Sequence, residues 1–193
     1  SKNLSLPDMI NDIITADLEE INNAILEPNG MISFDPNVRL PLWKTPEACR
    51  QAILEFLPLS NIVKISDEEL EFITGIKDEQ EALKSLFVGN VEVVIYTKGT
   101  NGSDFITKER IITVPSFTVK AEDTTGAGDS YIGSFLYQVA KTVSTLEDLV
   151  NLDEEKVTEM MTFSAATAAL TVSKKGAISA LPTKEAVIDM MNR

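Results

Sequence analysis

Seven consecutive residues, Asp123-Thr124-Thr125-Gly126-Ala127-Gly128-Asp129, bring together two carboxylates, two hydroxyls and a turn built from minimal side chains. The stretch that follows, SYIGSFLYQV from Ser130 to Val139, reads as an apolar helix. A small-residue turn feeding a helix leaves backbone N–H groups pointing outward, and the helix dipole adds positive potential at that end. Such an end is an anion site, most often for phosphate. Asp129 then stands at the mouth of a site that would repel it. Taking a proton from an attacking hydroxyl is chemistry that gives a carboxylate a reason to be there. The same letters also describe a tight turn with Asp and Thr as helix caps. The length of the string, with Tyr131, Gly133 and Ser134 behind it, favours the chemical reading.

Composition narrows the remaining chemistry. Histidine is absent, which excludes Ser-His-Asp and Cys-His catalysis and His-based metal sites. A single cysteine, Cys49, excludes an intramolecular disulfide and a thiolate zinc cage, and its place in a predicted helix makes it a packing residue. Catalysis must use carboxylates, Lys, Arg, hydroxyls or backbone dipoles. That set suits phosphoryl transfer, which needs positioning and charge neutralisation more than a reactive side chain. The net charge of -13 gives a surface that repels nucleic acid and anionic membranes. A local nest of amides still admits a small Mg-nucleotide. The expected partners are therefore small molecules, with no nucleic acid and no membrane. Neither a membrane-spanning apolar run nor a signal peptide is read in the chain, so the expectation is a cytoplasmic protein. The 193 residues, 44% of them apolar, suffice for one domain with a buried core. A start at Ser1-Lys2 without Met suggests a processed or partial chain.

The elements that must position these residues alternate along the chain. Ile10, Ile13, Ile14, Leu18, Ile21 and Ile25 recur at helical spacing, and Pro28-Asn29-Gly30 ends that helix. A short strand is expected over 31–34, then a helix from Thr45-Pro46 to about Phe56. A strand over 62–65 leads into a short helix capped by Ser66 and ending near Gly75, and another helix spans 79–87. VEVVIY over 91–96 reads as a strand buried on both faces, followed by strands over 103–107 and 110–114. The helix behind the Gly-Ala-Gly turn runs to about Lys141. An acidic connection over 146–153, a long helix over 156–172 and a last helix over 184–191, capped by Thr183, complete the chain. Strands alternating with helices predict an α/β fold, a doubly wound, mostly parallel sheet with helices on both faces. Ligands in such folds collect at the carboxyl ends of the strands. Asp35 and Asn37, Ser66, Thr97 with Gly99, and the Gly-Ala-Gly turn all fall there, and no linker divides the chain.

The Asp123–Asp129 string closely resembles the second signature of the PfkB family of sugar kinases, which have the ribokinase-like fold. The resemblance implies that Asp129 is the catalytic base and that the amides of Gly126, Ala127 and Gly128 form an anion hole. Thr97-Lys98-Gly99-Thr100-Asn101-Gly102 is similar to the family's Thr-x-Gly-x-x-Gly turn, which implies phosphate contacts from Thr97, Gly99 and Gly102. By itself this stretch is also a hairpin turn. Ser66-Asp67-Glu68-Glu69 reads as a capping box. It also resembles the family's Asn-x-x-Glu, with Ser66 in the Asn place on the nucleotide and Glu69 organising water around Mg2+. Asp35-Pro36-Asn37-Val38-Arg39, with Leu42-Trp43, resembles a stretch typical of fructokinases and ketodeoxygluconate kinases, which implies substrate contacts from Asn37 and Arg39. A turn with a surface Arg is the alternative there. The segment 162–176 looks like the family's adenine-side helix and loop, with Ala166 and Ala169 against the base and Ala165 where the family often has Asn. Asp123 and Thr125, with the backbone of 173–176, correspond to a monovalent cation site, K+, in relatives.

The resemblance covers about 32–182 and only the C-terminal part of a family member. It implies that residues 1–193 are the nucleotide-binding and catalytic part of a ribokinase-like domain. The N-terminal portion and the lid over the sugar are missing from it. The activity implied is ATP-dependent phosphorylation of a sugar hydroxyl, most like a fructokinase. Ketodeoxygluconate kinase or ribokinase activity, or a truncated nucleotide-binding module without catalysis, are the alternatives. Relatives often form homodimers through the lid.

Overall fold

The computed structural model describes residues 30–192. The helix expected around Ile10 to Ile25 lies outside the described residues. The strands are β1 (Ser33–Phe34), β2 (Ile62–Ser66), β3 (Val93–Thr97), β4 (Ser103–Ile106) and β5 (Ile111–Val114). The helices are α1 (Pro46–Phe56), α2 (Asp67–Thr74), α3 (Glu79–Ser85), α4 (Ala127–Thr142), α5 (Leu146–Val150), α6 (Glu154–Val172) and α7 (Lys184–Met191). The five strands form one sheet in the order β1-β2-β3-β4-β5. β1, β2 and β3 are parallel, and β4 is antiparallel to both β3 and β5. Every strand but β4 therefore runs in one direction, which makes the sheet mostly parallel, with helices on both faces.

β2 and β3 sit at the centre because their residues tolerate burial on both sides. The first four residues of each are buried, as strands covered by helices on two faces must be. Their register pairs Ile62 with Val93 and Ser66 with Thr97, so the two carboxyl ends lie side by side. Alternation then divides the strands between two cores. Val63, Ile65, Val94 and Tyr96 pack with Cys49 and Ile53 of α1, Leu70 and Ile73 of α2, and Ala82 and Leu83 of α3. Ile62, Val93, Ile95 and Phe105 face Tyr131, Phe135 and Val139 of α4 and Val157, Met160 and Met161 of α6. Burying a Val, Leu, Ile, Phe or Met side chain contributes about 1.5–3 kcal/mol, so both layers hold the strand ends in place.

Helix starts follow the caps written in the sequence. Thr45 accepts from the Ala48 N–H at 3.1 Å, ahead of Pro46. Asp153 accepts from the Lys156 N–H at 2.8 Å, which starts α6 at Glu154 rather than at residue 156. The segment expected to be an acidic connection contains the short helix α5. Thr145 and Asp148 cap it reciprocally, with the Asp148 N–H donating to Thr145 and Asp148 accepting from the Thr145 N–H at 3.0 Å. No described helix is long and apolar enough to cross a membrane.

Candidate active site

A cavity of about 600 Å3 opens where the carboxyl ends of β2 and β3 meet the N-terminus of α4. Ser66 and Thr97 reach it from the strands, Ala127 and Gly128 from the helix, and Asn37 and Arg39 from the loop after β1. Glu69, Gly99 and Gly102 line it as well. Most of the positions singled out in the sequence therefore come together around one space. Asn37 adopts φ 44°, a left-handed backbone that Asn tolerates better than most residues.

Gly126, at φ 80°, turns the chain into α4. A side chain there would strain the backbone and press on Ala177, 3.0 Å from the position of a β-carbon. The first intrahelical bond runs from the Ser130 N–H to the Gly126 carbonyl at 2.9 Å. The amides of Gly126 and Gly128 have no protein acceptor among the described residues. The Ala127 N–H differs from the expected three-amide hole, because it donates to the Thr124 carbonyl at 3.3 Å and closes the turn. Asp129 is in the first turn of α4 and exposed. It stands beside the cavity rather than in its lining, and no ion pair engages it among the described residues.

Next to this helix end is a charge that no sequence motif marks. Side chains at Ile62, Lys64 and Ser66 point to the α4 side of the sheet, because β2 alternates. Lys64 is therefore driven into the cavity wall, with a side chain only 7% exposed. Its Nζ donates to Asp35 Oδ1 at 3.3 Å. It also lies 2.9 Å from where a β-carbon on Gly128 would be. Burial pushes the Asp35 carboxyl above its ordinary value, against the pull of Lys64, and the charges of Glu69 and Asp129 add to the rise. The legible signal was a single charged letter inside the apolar run IVKIS.

Glu69 is used thoroughly by the protein. Its Oε2 accepts from the Ser66 N–H at 3.0 Å and from the Ser66 hydroxyl at 2.7 Å. Its Oε1 accepts from the Val38 N–H at 2.7 Å, which ties the Asn37–Arg39 loop to α2. Burial is the largest single influence on this carboxyl and opposes ionisation. The hydrogen bonds from Ser66 and Val38 and the charge of Lys64 together outweigh it and hold the group below its ordinary value. No group of three metal-ligating side chains occurs among the described residues.

The opposite wall is apolar and small. Ala165, Ala168, Ala169 and Val172 of α6 line the cavity, as do Phe117, Val119 and Ala121. Ala166 does not belong to this wall, contrary to the sequence expectation. One residue on from Ala165 turns about 100° around the helix, and Ala166 is buried against Phe163, Val187 and Met190 under α7. The segment 116–121 carries no motif and was not foreseen. Tyr131, also in the wall, shares a 2.6 Å hydrogen bond with Ser103, and burial pushes its phenol well above its ordinary value.

The turn 97–102 is braced from below. The Lys98 N–H donates to the Gly102 carbonyl at 2.8 Å, and Lys98 Nζ pairs with Asp104 at 2.7 Å. Asp123 and Thr125 lie off the cavity. Asp123 accepts from the Thr125 N–H at 2.9 Å and from the Gly176 N–H at 3.2 Å, so it joins the turn before α4 to the loop after α6. Hydrogen bonding with Thr125 and Gly176 holds its carboxyl below the usual range.

The chain and its fold have counterparts among known proteins. Fructokinase-2 of Zea mays is 40% identical over 162 residues, covering 83% of this chain and 47% of that protein. The crystal structure of a fructokinase with bound ATP from Xylella fastidiosa superimposes with a TM-score of 0.82 at 28% identity, over 90% of this chain and 55% of that one. A fructokinase double mutant from Vibrio cholerae, in its fructose, ADP and potassium ion bound form, gives a TM-score of 0.81 at 28% identity, over 92% of this chain and 55% of that one. The chain thus spans about half the length of the curated relatives it matches. The match to the pfkB family carbohydrate kinase extends over residues 5–184, nearly the whole sequence. With the signature turn leading into α4 beside the strand ends, the chain belongs to the pfkB family of carbohydrate kinases.

Proposed function

We propose that this chain is the nucleotide-binding and catalytic part of an ATP-dependent sugar kinase whose acceptor is fructose. The observation that carries the reading is the N-terminus of α4. The Gly126 and Gly128 amides have no protein acceptor among the described residues, Gly128 lines the cavity, and the exposed Asp129 follows it, which supports the reading. ATP would lie with its base against the wall of Ala165, Ala168 and Ala169 and its phosphates over Thr97, Gly99 and the α4 turn. Asp129 would take the proton of the sugar hydroxyl as that oxygen attacks the terminal phosphorus, and ADP leaves with the bridging oxygen. The Gly126 and Gly128 amides would hold the charge on the transferred group.

Mg2+ fits this donor set only as a hydrated ion. Asp67, Glu68 and Glu69 line the cavity, yet they do not form a cage, and Mg2+ characteristically keeps waters and takes phosphate oxygens. When bound it neutralises phosphate charge, and Glu69 would orient its water. Asp123, Thr125 and the 173–176 loop are the place we assign to K+. Asn37 and Arg39, which line the cavity, are the residues we assign to the sugar.

The test is Asp129→Asn in the protein at its full natural length. Sugar-dependent ADP release is expected to fall by about 10²–10⁴-fold, with ATP affinity by calorimetry little changed. Turnover near the wild-type rate in that variant rejects the assignment. A panel of fructose, ribose and ketodeoxygluconate fixes the acceptor. Nucleotide binding without release of ADP on any sugar identifies a non-catalytic module instead.

A further inference from the structure

Lys64 is out of place unless an anion comes to it. Its strand neighbours Ile62, Val63 and Ile65 are fully buried, and lysine is almost never buried without a compensating partner. Its ammonium is pressed against the positive end of a 16-residue helix, where a cation is disfavoured. Its compensation is thin. An ammonium has three N–H donors, and among the described residues it makes one hydrogen bond, to Asp35 at 3.3 Å. That is longer than the usual charge-assisted bond. Lys98, by contrast, grips both oxygens of Asp104 at 2.9 and 2.7 Å. The glycine at 128 leaves no side chain between Lys64 and the helix amides.

We propose that Lys64 binds the phosphoryl group in transit, its ammonium turning from Asp35 to an oxygen of the terminal phosphate when nucleotide enters. The inference rests on the kinase reading of the same cavity. Asp35 holds the ammonium in place until the phosphate arrives. Lys64 forms and breaks no covalent bond. The sugar oxygen makes the new bond to phosphorus, the bridging oxygen departs on ADP, and the hydroxyl proton goes to Asp129.

The experiment compares Lys64→Met with wild type in the full-length protein, titrating ADP and β,γ-methylene ATP by calorimetry and measuring sugar-dependent ADP release. ADP affinity is expected to stay within about twofold, while the triphosphate analogue loses about tenfold or more, as the loss of one charge-assisted contact implies. Turnover is expected to fall at least about a hundredfold. Equal weakening of both nucleotides, or of neither, overturns the assignment. If Lys64→Met does not fold, Lys64→Gln, one atom shorter but with an uncharged polar end, is read by the same criterion. The two readings fail separately. A wild-type protein that phosphorylates no sugar, yet loses analogue over ADP preference in Lys64→Met, removes the kinase reading and supports the phosphate contact. A competent kinase whose Lys64 variants match wild type removes the Lys64 assignment alone.

Discussion

Gly128 and Lys64 share one small volume, and that gives the residue scale its sharpest test. Gly128 has no positive φ, so its backbone accepts alanine, but the new β-carbon would stand 2.9 Å from Lys64 Nζ and 3.6 Å from Cε. The contact is with the far end of a flexible side chain, which can swing away. Stability should therefore hold or rise, because alanine is favoured over glycine in a helix by up to about 1 kcal/mol. Activity should not survive so well, because the displaced ammonium leaves the helix end. Gly128→Ala is expected to keep or slightly raise the melting temperature while sugar-dependent ADP release drops at least about tenfold. Unchanged turnover with a raised melting temperature would mean that the Lys64–Gly128 approach is packing alone.

At the scale of elements, the β3–β4 turn and the α2 start show how much of the site could be read in advance. Thr97-Lys98-Gly99-Thr100-Asn101-Gly102 has two glycines that the letters cannot tell apart. Gly102, at φ 91°, would put a β-carbon 2.2 Å from the Val114 carbonyl oxygen, so it is required by the packing of β5. Gly99, at φ 52°, has nothing within 4 Å of that position, so no packing requires a glycine there. Gly102→Ala should unfold at clearly lower urea, since such backbone strain costs about 1–3 kcal/mol before the clash is added. Gly99→Ala should cost only the left-handed penalty of about 1–2 kcal/mol and weaken ATP more than it weakens the fold. Equal loss of stability in the two variants would contradict this division. Glu69 was likewise legible as a cap, but its bond to the Val38 N–H, 31 residues upstream, belongs to tertiary structure. Its carboxyl is held below the ordinary value of 4.5. A depressed acid contributes stability that is complete above its unfolded pKa and is lost as pH falls through the folded one. Between about pH 6 and pH 3, urea unfolding of nucleotide-free protein should therefore weaken less steeply in Glu69→Gln than in wild type. Strands β2 and β3 and the capped helices announced themselves through apolar runs and Thr, Ser or Asp starts. Lys64 did not, because one charge in a buried strand says nothing about which face it takes. Ala166 was misplaced for a related reason. α6 is buried on several sides, so small residues at 165, 166, 168 and 169 carry no mark of which ones face the cavity.

For the whole molecule the governing quantity is its net charge of -13, set by 30 acidic against 17 basic residues. The described ion pairs recover little of that imbalance. Lys108–Glu92 and Lys156–Glu159 are substantially exposed, and exposed pairs contribute about 0–1 kcal/mol each. Lys64–Asp35 and Lys98–Asp104 are more buried but brace the cavity wall and the turn after β3. Most of the other described carboxylates are exposed, and they repel one another more strongly in the folded state than in the unfolded one. Salt should relieve this. Raising ionic strength from about 10 mM to about 300 mM shortens the Debye length from about 30 Å to below 8 Å. Long-range repulsion across the surface then largely disappears, while the short buried pairs are scarcely affected. The melting temperature of the nucleotide-free chain is expected to rise by about 2–4 °C, the response of a protein this size to about 1 kcal/mol. Choline chloride should do this as well as potassium chloride, because screening does not distinguish cations. An additional rise specific to potassium would report ion binding, for which the Asp123–Gly176 junction is the place to look. A melting temperature that falls with choline chloride would mean that attraction, not repulsion, dominates the surface field.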